Sequence, residues 1–124
     1  MNNNSPVLLP ERSEEFTNRA ERAVRSLSIT RRYDGYKYLV YASIIVAHDP
    51  DALRGITKHI YPVIARECGT SVQSIERSIR TAVQHCWDHC DRALLDQIAG
   101  YRVIERPTNS DFIDIIATYI RLHK

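Results

Sequence analysis

No stretch of this 124-residue chain approaches the roughly 20 consecutive apolar residues that cross a bilayer. Its first residues, MNNNSPVLLPERSEE, lack the basic start, long apolar run and small-residue cleavage site of a secretory signal. Cysteine is scarce: Cys68, Cys86 and Cys90 are odd in number and set within apolar patterns, which excludes a disulfide scaffold and suits a reducing compartment. The expectation is a cytoplasmic protein. An excess of one charge is missing too, because 17 Lys and Arg face 15 Asp and Glu for a net charge of +2, so any contact with nucleic acid must depend on where the charges sit. Glycine is limited to four residues. No glycine-rich phosphate loop, nucleophile elbow or paired-acid constellation is present, so neither an enzyme nor a cofactor is expected.

What is present is helical periodicity, in a chain whose 44% apolar content is enough for one core. Residues 1–12 are polar, carry Pro6 and Pro10, and read as a flexible tail ahead of a single domain over 13–124. Phe16, Ala20, Ala23, Val24 and Leu27 recur at helical spacing behind Ser13, with Arg19, Arg22 and Arg25 expected on the outer side. The run from Arg31 to Gly35 breaks this helix. Tyr36, Leu39, Val40, Ser43, Ile44 and Ala47 make a second stripe, stopped by His48, Asp49 and Pro50. A third segment runs from about Leu53 to Cys68, with Pro62 demanding a kink or restart near Tyr61 and Gly69 ending it. The fourth is the most regular, since Ile75, Ile79, Ala82, Val83, Cys86 and Cys90 share one sector at about 100° per residue. A short fifth helix is expected over Asp91–Ala99. The last starts near Thr108 or Asn109 and buries Phe112, Ile113, Ile116, Tyr119 and Ile120, while only YRVI at 101–104 reads as locally extended. The predicted fold is all-α: about six helices in a compact orthogonal bundle.

Residues 61–80, YPVIARECGTSVQSIERSIR, have the spacing of a helix-turn-helix, placed at about 55–90 with a recognition helix at about 72–90. Ala65 is small where two helices must cross, and Gly69 supplies the positive φ of the turn. Ile75 and Ile79 are expected to pack the second helix onto Ile64 and Cys68, and Thr70 with Gln73 fits a capping box. Opposite the apolar sector of that helix stand Gln73, Arg77, Arg80 and Gln84, with Glu76 at the edge. Arginine bonds guanine bidentately, glutamine bonds adenine and glutamate accepts from cytosine, so these are the candidate base contacts. Lys58, His59, Thr70, Ser71 and Ser74, near the starts of the two hairpin helices, are the candidate phosphate contacts.

From Gly35 to Leu122 the chain resembles the C-terminal effector domain of the stage-zero sporulation response regulator, through GYKYL, ITKHIYPVIA, SIERSIRTAVQHCW, the Gly100–Tyr101 pair and PTNSDFI. Weaker similarity reaches back to about Glu21. The resemblance implies an all-α domain of six helices that binds promoter DNA as tandem copies, hence a dimer on adjacent sites, and contacts the housekeeping sigma factor of RNA polymerase. It implies base contacts at Glu76, Arg77 and Arg80, the face that periodicity selects independently. It also implies a bacterial, nucleoid-associated protein. The family carries arginine where this chain has Ser74, a longer loop before PTNS and a different fifth helix. The first 30 residues are too few and too helical to build the family's phosphorylated α/β receiver. From its Met1 start the chain is expected to bind DNA constitutively or to compete with a full-length regulator.

Rival chemistries have weaker support. His85, Cys86, His89 and Cys90 form two i, i+4 pairs with metal-ligand spacing, but the thiols continue the core stripe, so no metal is expected. Trp87 and the tyrosines fit core packing better than base stacking, and the arginines of the first helix fit a solvated face better than phosphate contact. The alternative function is a protein-interaction module that binds a full-length regulator or the sigma factor without reading DNA.

Overall fold

The computed structural model describes residues 13–123, so the tail assigned to residues 1–12 lies outside the described residues. Six α-helices follow one another: α1 (Ser13–Ser26), α2 (Asp34–His48), α3 (Tyr61–Cys68), α4 (Val72–His89), α5 (Arg92–Ala99) and α6 (Asn109–Leu122). There is no strand among the described residues, and the YRVI segment stays irregular. None of these helices is long and apolar enough to cross a membrane.

The centre of the fold is α2. A single stripe is expected there, yet the helix is buried almost all round, because α1, α3, α4 and α6 all pack on it. Gly35 corrects the sequence reading. It lies inside α2 rather than breaking the chain before it. A Cβ at Gly35 would come 2.8 Å from Ala82 Cβ and closer still to the Ser78 carbonyl oxygen, so the absent side chain is what lets α2 and α4 cross.

The third segment is also not one helix. A 3-10 turn over Pro50–Gly55 and a π turn over Ile56–Ile60 precede α3, which begins at Tyr61 with Pro62 in its first turn. Pro62 has no N–H to give to the carbonyl four residues back, so a regular helix cannot run through it and a restart is the outcome.

The arginines of α1 do more than face solvent. Arg19 Nη1 donates to the Ile120 carbonyl at 2.8 Å, tying α1 to the C-terminal end of α6. Arg25 donates to Tyr36 Oη at 3.1 Å, and Tyr36 Oη in turn donates to Glu21 at 2.9 Å, joining α1 to α2. Arg22 remains exposed. Around these ties the apolar faces of all six helices form one buried cluster, from Ala20 and Val24 through Ile75 and Ile79 to Phe112 and Ile116.

Candidate nucleic-acid interface

The turn between α3 and α4 is built by two adjacent caps. Gly69 closes α3 in the left-handed region at φ 66°, and the Thr70 N–H reaches back to the Ala65 carbonyl at 2.9 Å. Thr70 therefore belongs to the end of α3. The expected Thr70–Gln73 capping box gives way to Ser71, which is extended (φ −102°, ψ 159°) and whose Oγ accepts from the Ser74 N–H at 3.1 Å. Ser71→Ala is expected to cost about 1 kcal/mol, read as a lower denaturant midpoint at unchanged slope.

The buried face of α4 is Ile75, Ile79, Ala82, Val83 and Cys86, as its periodicity dictates, while Cys90 lies just past the end of the helix as its cap. The opposite ridge faces out. Gln73 and Arg77 are exposed and have no partner among the described residues. Arg80 and Glu76, one turn apart, form an ion pair at 2.6 Å with their side chains 52% and 42% exposed, so the pair sits on the surface rather than in the core. Gln84 differs from the other four. Its Nε2 donates to Asp88 at 3.0 Å and its Oε1 accepts from Arg106, so both ends of the amide are engaged within the protein.

The phosphate candidates divide as well. Lys58 and His59 are exposed on the π turn before α3, where the His59 ring packs against Gly55 so closely that a Cβ there would collide with it. Thr70 is half-buried, with its N–H spent on α3. Ser71 donates its hydroxyl to Ser74 Oγ at 3.1 Å, which leaves the Ser74 O–H without an acceptor among the described residues.

One contributor escaped sequence reasoning. Asn109, the third residue of the PTNS run, donates from Nδ2 to the Glu76 carbonyl at 3.1 Å and to Tyr61 Oη at 3.4 Å. Pro107 is buried beside it and Thr108 caps α6, its Oγ1 accepting from the Asp111 N–H at 3.1 Å. The motif thus fixes the start of α6 against both hairpin helices. Burial raises the Tyr61 phenol above its ordinary range, the Asn109 bond opposing part of that rise, so Tyr61 stays protonated. The local signal was only the cap pattern at Thr108, because the partner of Asn109 is 33 residues away.

The other clusters are occupied by packing. His85 Nδ1 and Tyr33 Oη share a hydrogen bond of 3.1 Å, and the His85 ring lies against Tyr33 and His89 at 4.6 and 4.5 Å between centroids. Cys86 is buried, which pushes its thiol well above the usual range. No group of three or more His, Cys, Asp or Glu residues is placed to hold a metal among the described residues. Trp87 is half-buried against the core, with the Arg92 guanidinium 3.2 Å from the centroid of its ring.

A short capped turn, a long second helix packed through one face and a polar ridge standing clear on the other define a helix-turn-helix domain. The family model described as sporulation initiation factor Spo0A C terminal matches residues 20–120. The chain belongs to this family, the DNA-binding effector domains of the sporulation-initiation regulator, and is an all-α transcription-regulatory domain.

Proposed function

We propose that the protein recognises promoter DNA in a sequence-specific manner, with α4 lying in the major groove and Gln73, Glu76, Arg77 and Arg80 meeting base edges. The observation that carries this reading is the unspent state of Gln73 and Arg77, both exposed on the ridge with no internal partner among the described residues. Groove-reading side chains need open donors and acceptors, which Gln73 and Arg77 have, while Arg80 and Glu76 reach bases by exchanging their exposed mutual ion pair for bonds to DNA. Gln84 fits less well, since a base contact would have to break its bonds to Asp88 and Arg106. Its role is to hold the loop before α6 against α4.

Lys58, His59 and Ser74 are the best placed of the five phosphate candidates, with Ser71 and Thr70 contributing mainly through the turn they build. The common buried cluster supports treating residues 13–124 as one functional domain. One such domain buries modest area on DNA, so specificity is expected to need two copies on adjacent sites. The second reading, contact with the sigma factor or a full-length regulator, is favoured by Tyr101 and Ile104 in the loop after α5, which are 57% and 79% exposed.

Selection of bound sequences from a random duplex pool tests the main proposal. The purified protein is expected to enrich a short motif. Recovery of the pool with its starting base frequencies would leave DNA reading without support and favour the protein-interaction module.

A further inference from the structure

Two exposed arginines outside the helix-turn-helix flank α4 from opposite sides. Arg32, in the loop between α1 and α2, shares a cleft of about 290 Å³ with Arg77, Ser78 and Thr81. Arg106, in the loop between α5 and α6, shares another of about 310 Å³ with Glu76, Arg80 and Val83. Ser78 and Thr81 leave α4 on one side of the Arg77 ridge, and Glu76 and Arg80 leave it on the other, as a spacing of about 100° per residue requires. Arg32 has no partner among the described residues. Arg106 donates to the neutral amide of Gln84, which fixes its position, and forms no ion pair among the described residues.

We infer that Arg32 and Arg106 are loop-borne phosphate clamps, one for each strand bordering the groove that α4 enters. A helix with its side chains is about 10–12 Å across and the major groove is about 12 Å wide, so a seated α4 has a sugar–phosphate wall along each flank. A cation carried beside each flank by a separate loop meets one wall each. Such contacts fix register and carry no sequence information themselves. The inference rests on the proposed groove reading, and it supplies what the near-neutral whole-chain charge does not: positive charge concentrated on the face that meets DNA.

The test is the salt dependence of duplex binding by the full chain, measured by fluorescence anisotropy with Arg32→Ala, Arg106→Ala, Gln84→Ala and Arg22→Ala. Each neutralised phosphate contributes about 0.9 to the slope of log affinity against log salt, so each clamp variant should lose that much. Equivalently, the fall in affinity between about 50 and about 200 mM salt should shrink by about 3.5-fold for each variant, with the preferred sequence unchanged. Arg22→Ala removes the same charge from a groove between α1, α5 and α6 and should leave the slope alone. Gln84→Ala loosens the loop without removing charge and should also keep it. Wild-type slopes in the two clamp variants, or an equal loss with Arg22→Ala, overturn the inference. A Gln84→Ala slope matching that of Arg106→Ala overturns it for Arg106. If base reading itself fails, the wild type binds scrambled and selected duplexes alike, an outcome scored separately from the slopes.

Discussion

Replacing Arg77 with alanine is expected to weaken binding to the selected duplex by about 1–3 kcal/mol, roughly a 5- to 150-fold rise in Kd, and to relax the preference at one base pair. The reason lies in the position of Arg77, which is exposed at the middle of the α4 ridge and has no partner among the described residues. Thermal unfolding of the variant should therefore match that of the wild type. A loss confined to affinity separates reading from folding. If Arg77→Ala bound with wild-type affinity and selected the same motif, the ridge would be a solvated face and the proposed function would fall.

Gly35→Ala should cost about 1–3 kcal/mol of stability, or somewhat more. The added carbon would press on the Ser78 carbonyl and on Ala82 Cβ, and a backbone oxygen in the middle of a helix cannot swing aside as a flexible side chain does. Strain of this kind is relieved only by separating α2 from α4. The unfolding midpoint should drop by several degrees. DNA affinity should fall with it, because the surface displaced is the helix that carries the reading ridge. A variant as stable as the wild type would show that the crossing is looser than the structure has it.

The buried face of α4 was legible because Ile75, Ile79, Ala82, Val83 and Cys86 repeat with the period of the helix that presents them. The same periodicity exposed the ridge opposite. The cap was misassigned by one residue, since Thr70 and Ser71 are both capable of capping and the choice between them is made by the Thr70 N–H closing α3. The stretch from Pro50 to Ile60 carried no pattern that distinguishes 3-10 from π geometry. The breaking power assigned to Gly35 was a local inference defeated by a partner helix more than 40 positions further on, at Ser78. Gln84 is a related case. Its place on the helix wheel is right, but Arg106, 22 residues away, occupies it. Periodicity reports which way a side chain points and is silent on what waits there.

The Glu76–Arg80 ion pair makes two side chains on the ridge interdependent. Each arrives at a duplex already committed to the other, so a base that draws Arg80 away leaves a carboxylate looking for a donor, and a base that satisfies the carboxylate releases the guanidinium. Preferences at neighbouring base positions are then coupled rather than independent, and substitutions at the two residues will not sum. Under the proposed groove reading, a one-residue, one-base lexicon would mispredict the preferred sequences even with every contact correctly assigned.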